Sequence, residues 1–125
     1  MKNMLILLST LLLSSNYVSA EENKKVTHVV MVWLKHPGNE QQRSEFIKAS
    51  EHLSGLPGIL HRHVGVVLPS DRGIVNDTFD VAITVTLKNK EALQAYLDNP
   101  KHKQVLQNEI KPLVNRVIAY DFISQ

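Results

Sequence analysis

The clearest structural signal in the chain is the segment TFDVAITVTL, residues 78–87. Apolar and polar residues alternate along it, as expected for a β-strand with one buried face. The buried face is predicted to consist of Phe79, Val81, Ile83, Val85 and Leu87, and the opposite face of Asp80, Ala82, Thr84 and Thr86. We therefore predict a strand that packs one side on a helical layer and turns the other towards a more polar environment.

The segments on either side of this strand complete an α+β pattern. Three further strands are predicted over residues 26–35, 59–68 and 116–123. Asn39, Asn89 and Asn99 each precede a helical stretch and are suitable N-caps, with Pro100 at the first position of the last helix. The order strand, helix, strand, strand, helix pair, strand is that of the ferredoxin-like βαββαβ fold, a four-stranded antiparallel sheet with helices on one face.

The predicted sheet has a second face with no helix to cover it. That face carries either Met31 and Trp33 or Val30 and Val32, depending on which side of the first strand meets the helices. Either pair belongs to an apolar patch that a soluble monomer rarely exposes. A second copy packed sheet to sheet about a twofold axis would cover it, so we predict a homodimer.

The first twenty residues have the pattern of an export signal. Lys2 is followed by an apolar run over residues 4–13, and the small residues 18–20 end in a cleavage site after Ala20. We predict a secretory signal over 1–20, a short charged lead-in over 21–25 and one domain over 26–125, in a secreted or periplasmic protein. An uncleaved anchor is the alternative, but the apolar run is short for a bilayer.

The composition excludes several kinds of chemistry. The chain has no cysteine, so it has neither disulfides nor thiolate nucleophiles. Its 14 Lys and Arg and 12 Asp and Glu are interspersed, which argues against a nucleic-acid partner. His61 and His63 alternate on one strand face and could offer two metal ligands, but no carboxylate with fitting local spacing joins them. We expect no metal site and no cofactor.

Several short motifs occur in an order that resembles the stress-responsive A/B barrel (Dabb) family. They are HVVM at 28–31, LPG at 56–58, FD at 79–80, ALQAYLDNPKH at 92–102, PL at 112–113 and DF at 121–122. The most specific piece is the stretch from Tyr96 to His102, which is similar to the family pattern Tyr-x-x-His-Pro-x-His. The resemblance covers nearly all of the predicted domain.

The resemblance implies a dimeric α/β barrel and a set of site residues. The family includes a plant polyketide cyclase, olivetolic acid cyclase, whose catalytic Tyr and His match Tyr96 and His102. A further pocket His of that enzyme matches His28, and a pocket aromatic residue matches Phe46. The first His of the motif is replaced here by Asn99, which keeps the helix cap but removes any ligand contact made by that ring.

The local sequence also suits His102 to acid–base chemistry. His102 is the third residue after the Asn99 cap, and the positive end of a helix disfavours a proton on the ring. A neutral imidazole is a competent general base near physiological pH. Tyr96 lies about one turn upstream, where its hydroxyl could polarise a carbonyl while His102 removes a proton from the adjacent carbon.

Three functions follow from these observations. We predict an exported, stress-related homodimer that binds a small apolar or aromatic molecule, with ligand contacts from His28, Val30, Phe46 and Ile83. The alternatives are a cofactor-independent cyclase or lyase that uses the His102–Tyr96 pair, and a purely structural stress protein. A cavity between sheet and helices that both residues reach would favour chemistry, whereas a filled core would favour the structural role.

Overall fold

The computed structural model describes residues 23–125. The predicted export signal and the first two residues of the lead-in lie outside this range. The strands are β1 (Val26–Leu34), β2 (Ile59–Val66), β3 (Val81–Leu87) and β4 (Val114–Ile123). The helices are α1 (Glu40–Ser50), α2 (Lys90–Asp98) and α3 (Pro100–Val105). A 3-10 turn over Glu51–Leu53 extends α1, and a π-helical turn over Leu106–Ile110 and a 3-10 turn over Lys111–Leu113 follow α3.

The four strands form one antiparallel sheet in the order β2-β3-β1-β4. This order places the first strand at the centre and the last at an edge, which confirms the predicted ferredoxin-like α+β fold. The strand pairing also fixes the neighbours of each central residue. His28, for example, lies between Val85 of β3 and Asp121 of β4.

Each helix begins at the asparagine predicted as its cap. The side-chain oxygen of Asn39 accepts a hydrogen bond from the backbone N–H of Gln42, and that of Asn89 from the N–H of Ala92. The Asn99 side chain accepts from the N–H of Lys101, with Pro100 at the start of α3. These bonds satisfy N–H groups that the first turn of a helix leaves free.

One face of the sheet packs on the helices and forms the core. Its most deeply buried members on the central strands are Val32, Leu34, Val81, Val85 and Leu87. Phe46 of α1, Tyr96 of α2 and Val105 of α3 are buried against them. Of the two alternatives for β1, the even-numbered residues therefore face the helices.

The other face of the sheet, called here the open sheet face, has no helix over it. Its large apolar members are Met31, Trp33, Phe79, Ile118, Tyr120 and Phe122, of which the first five line one shallow depression. Tyr120 and Phe122 are each 58% exposed. The guanidinium of Arg116 lies 4.6 Å from the Trp33 ring centroid, a cation–π contact.

The start of β3 departs from the predicted alternation. The strand begins at Val81 and not at residue 78, and Phe79 lies on the open sheet face, so its predicted place on the buried face is wrong. Asp80 is instead the buried residue. Its carboxylate accepts hydrogen bonds from the N–H groups of Leu34 (2.9 Å) and Gly38 (2.8 Å), and it lies 3.5 Å from the Arg43 guanidinium. Backbone N–H groups at the end of β1 and in the turn after it thus hold Asp80 in the interior against the alternation of the strand.

Two other predicted strand ends shift by two residues. β2 stops at Val66 and not at residue 68, and β4 begins at Val114 and not at residue 116. Within residues 23–125, no helix combines the length and the apolar character needed to cross a membrane.

Candidate functional site

A cavity of about 240 Å³ lies between the helix-facing side of the sheet and the helices. Most of its wall is aliphatic or aromatic, and all four strands contribute to it. The polar side chains in its lining are His28, Ser50, Arg62, Tyr96 and His102. A mainly apolar pocket with a few convergent polar groups is the usual form of a small-molecule site.

All six side chains proposed as site residues from the sequence line this one cavity. They are Tyr96 and His102, proposed as the catalytic pair, and His28, Val30, Phe46 and Ile83, proposed as ligand contacts. The pair stands at one helix junction, and the other four stand on β1, α1 and β3. The structure therefore brings together residues that are up to 74 positions apart, from His28 to His102.

The junction between α2 and α3 sets the position of Tyr96 and His102. Asn99 leaves the helical conformation, with φ −59° and ψ 127°, and Pro100 starts the next helix in a new direction. The Tyr96 and His102 rings lie 4.5 Å apart between centroids, with 59° between their planes. Only 4% of Tyr96 and 6% of His102 is exposed, so both rings are inside the protein.

The surroundings of His102 favour its neutral form. Burial lowers the pKa of the imidazole, the nearby His28 lowers it further, and a backbone hydrogen bond with Leu97 acts in the opposite direction. The Nδ1 atom of His102 is buried and has no hydrogen-bond partner among residues 23–125. A buried polar atom without a partner is uncommon, and the ring that carries it belongs to the cavity lining.

The His28 ring is hydrogen-bonded to the carboxylate of Asp121. Its Nδ1 lies 2.5 Å from the Oδ1 of Asp121, the residue directly across from it on β4. Because a carboxylate accepts hydrogen bonds, the bond orients the ring with Nδ1–H towards Asp121. The His28 ring also meets Tyr96 edge to face, at 6.3 Å between centroids. His28, Tyr96 and His102 thus form one connected group.

Tyr96 is a hydrogen-bond donor at neutral pH. Burial raises the pKa of its phenol, and the positive charge of Arg62 only partly offsets that effect. The phenol therefore keeps its proton, and its O–H can donate a hydrogen bond to an oxygen atom of a ligand. Next to a neutral His102, this gives one donor and one acceptor at the same end of an apolar pocket.

Sequence reasoning missed two residues of this site, Arg62 and Asp121. Arg62 lies on the face of β2 that packs on the helices, between positions occupied by apolar side chains. A charged residue between apolar residues on one face of a predicted strand is the sequence feature that could have identified Arg62. Asp121 could be found only through the register between β1 and β4, because 93 positions separate it from His28.

The second histidine pair, His61 and His63, is outside the cavity. It lies on the open sheet face with the two Nε2 atoms 2.7 Å apart. In the part of the chain that the structure describes, no group of three or more potential metal-ligating side chains is close enough to hold an ion.

The fold and cavity define a ferredoxin-like α+β domain with a mainly apolar internal cavity. The family model for the stress responsive A/B barrel domain matches residues 26–124. The chain belongs to this family, known as Dabb, which confirms the resemblance found in its motifs. No curated protein matches the chain.

Solved structures with the same fold include proteins with different descriptions. A Dabb family protein from Mesorhizobium loti has a TM-score of 0.67 and 19% identity, covering 82% of this chain and 98% of that one. A hydroxynitrile lyase from Passiflora edulis has a TM-score of 0.69 and 17% identity, covering 82% and 95%. A dimeric ferredoxin-like protein of unknown function from Thermobifida fusca has a TM-score of 0.65 and 21% identity, covering 82% and 93%.

Proposed function

We propose that this Dabb protein binds a small apolar or aromatic molecule in the cavity between its sheet and its helices. The observation that carries the proposal is the cavity itself, since a purely structural domain would fill this space with side chains. Its volume of about 240 Å³ is below the range of pockets for drug-sized ligands, so the ligand is small. Together with the export signal predicted over residues 1–20, this describes an exported binding protein.

We also propose that the protein is a homodimer joined through its open sheet face. The exposed Tyr120 and Phe122 and the half-buried Trp33 support this, because burying such a patch is favourable. The Thermobifida fusca protein of the same fold is described as dimeric. In such a dimer, the cavity of each protomer would lie on the side of its sheet that faces away from the partner.

Blocking the cavity at its edge will abolish binding of a small neutral probe. Ala119 of β4 lines the cavity and is exposed, so in Ala119→Trp an indole can enter the pocket without removing any core side chain. At ten times the dissociation constant, benzyl alcohol or hexanol will raise the Tm of the wild type by about 5 °C. Calorimetric titration and thermal shift will show no response in Ala119→Trp.

The same substitution on an exposed helix position provides the control. Ala95→Trp adds an indole to the outer side of α2, away from the cavity, and will respond to the probe like the wild type. An equal response of both variants would place the probe elsewhere and contradict the proposal.

A second candidate function is that of a cofactor-independent lyase or cyclase. The observation that favours it is the unpartnered Nδ1 of the neutral His102 beside the protonated Tyr96. His102 can accept a proton from a hydroxyl or an activated C–H, and Tyr96 can donate a hydrogen bond to the reacting oxygen. For a cyanohydrin, His102 takes the hydroxyl proton, the carbon–carbon bond to the nitrile breaks, and the departing cyanide takes the proton back. The Passiflora edulis lyase of the same fold makes cyanohydrins the first substrates to test.

If the protein cleaves mandelonitrile, His102→Gln will lower kcat by roughly 10²- to 10⁴-fold, the usual contribution of a general base. The wild-type kcat will fall on the acid side as His102 becomes protonated. Because burial holds its pKa below 6.5, that fall will begin below the range of an exposed histidine. Release of benzaldehyde, followed by absorbance between pH 4 and 8, measures both effects.

An exposed histidine outside the cavity lining serves as the matched control. His52 is exposed and pairs with Glu109, so His52→Gln will leave kcat unchanged. Turnover that survives in His102→Gln, or an acid limb with its midpoint above pH 7, would rule out His102 as the base.

A further inference from the structure

Arg62 brings a positive charge to an otherwise apolar part of the cavity wall. It lies opposite Val85 in the sheet, and the next helix-facing residue of β2 is Val64, which is opposite Ile83. The side chain is half-buried and lines the cavity near Tyr96. Burial lowers the pKa of the guanidinium, which means that its charge is poorly solvated.

The hydrogen bonds of Arg62 are incomplete. Its Nη2 donates to the carbonyl oxygen of Ser50 at 2.7 Å, at the end of α1. Its Nε is buried and has no partner among residues 23–125. A guanidinium carries five N–H donors in a planar fork, which suits a carboxylate better than a single carbonyl.

No anion of the described chain neutralises Arg62. None of the carboxylates within residues 23–125 lies within ion-pair distance of it. Glu51 acts on it only at longer range and is exposed, and Tyr96 keeps its proton. A partly buried charge without a counter-ion is costly, and a charged group of this kind in a cavity is a candidate for binding a ligand of opposite charge.

The two ends of the cavity differ in the residues that line them. Arg62 belongs to β2 at one edge of the sheet, and Val117 and Ala119 belong to β4 at the other edge, three strand spacings or roughly 14 Å away. Val117 is 49% exposed and Leu106 is 38% exposed, so the opening lies at the β4 side. Arg62 is thus at the end of the cavity away from β4.

We propose that the ligand of this cavity is an anion, a small aromatic or aliphatic carboxylate that enters with its charged group first and binds Arg62. The apolar body then lies against Phe46 and Ile83, within reach of Tyr96 and His102. This inference rests on the proposed function, because it names the chemical class of the molecule that the cavity binds. Arg62 selects the ligand and has no role in proton transfer.

The test compares two ligands of equal shape that differ in charge. Benzoate and benzamide are titrated into the wild type, Arg62→Met and Arg62→Lys at pH 7.5 by calorimetry. The wild type will bind benzoate about ten- to hundredfold more tightly than benzamide, the range expected for hydrogen bonds to a charged group. Arg62→Met will bind the two within about twofold of each other, and Arg62→Lys will keep part of the preference.

The outcomes separate this inference from the proposed function. Equal affinity of the wild type for both ligands overturns the inference and leaves the pocket as a binding site for neutral molecules. A preference for benzoate that survives in Arg62→Met overturns it as well, because Arg62 is then not the group that binds the carboxylate. Should neither ligand nor the neutral probes bind to the wild type, both proposals fail. The wild-type comparison stands even if Arg62→Met does not fold.

Discussion

Tyr120→Lys will convert the protein from a dimer to a monomer while leaving the domain folded. Tyr120 is 58% exposed on the open sheet face, where it adjoins Met31, Trp33 and Ile118, so its replacement removes no side chain from the core. In a twofold dimer each substitution occurs twice, and each places an ammonium group in a mainly apolar depression that already contains the positive charge of Arg116. We expect the dimer dissociation constant to rise by at least about 100-fold, in line with the cost of a buried unpaired charge.

Sedimentation velocity at about 10 μM measures this change, with circular dichroism as the check on folding. Ala95→Lys adds the same charge to the exposed side of α2 and will remain dimeric. A wild type that sediments as a monomer, or a Tyr120→Lys variant that sediments as a dimer, would show that the open sheet face is covered in another way.

Asp80→Ala will cause a large loss of stability. Asp80 is 3% exposed, and its carboxylate joins the end of β1 through Leu34, the turn before α1 through Gly38, and α1 itself through Arg43. Removing it leaves two N–H groups and a guanidinium without their acceptor. Breaking a buried ion pair in this way costs about 3–5 kcal/mol, a large part of the 5–15 kcal/mol that stabilises an ordinary domain.

The free energy of unfolding in urea measures the loss, and two variants give its scale. Asp80→Asn keeps one acceptor oxygen but not the charge, so it will fall between Asp80→Ala and the wild type. Asp77→Ala removes a loop carboxylate that accepts one backbone bond, from Ser70, and will cost about 1 kcal/mol. A cost for Asp80→Ala no larger than that of Asp77→Ala would mean that the buried carboxylate is not a structural link.

Local rules were sufficient to predict most of the fold. The caps at Asn39, Asn89 and Asn99 depend on side-chain and backbone groups two or three residues apart, so the sequence alone determines them. The same holds for the alternation in β3 from Val81 onwards, where every second residue is buried. The open sheet face could also be predicted, because the helices of this fold all lie on one face of the sheet and leave the other uncovered.

The errors and omissions arose where long-range contacts override the local pattern. Phe79 and Asp80 exchange the sides expected of them because Asp80 finds backbone donors more than 40 positions away. All six residues proposed from the sequence line the cavity, and four of them lie outside the motif around Tyr96 and His102. Asp121 and Arg62 join the site through strand register and through the packing of β2 on the helices, which no short motif encodes.

The break at Asn99 and Pro100 has a geometric consequence for the candidate site. On an uninterrupted α-helix, side chains six residues apart point about 120° away from each other, because successive residues turn by about 100°. Tyr96 and His102 could not then face the same ligand. The interruption brings the two ring centroids to 4.5 Å from each other at the cavity wall, so a substitution that straightened this corner would separate the proposed pair even with both side chains kept.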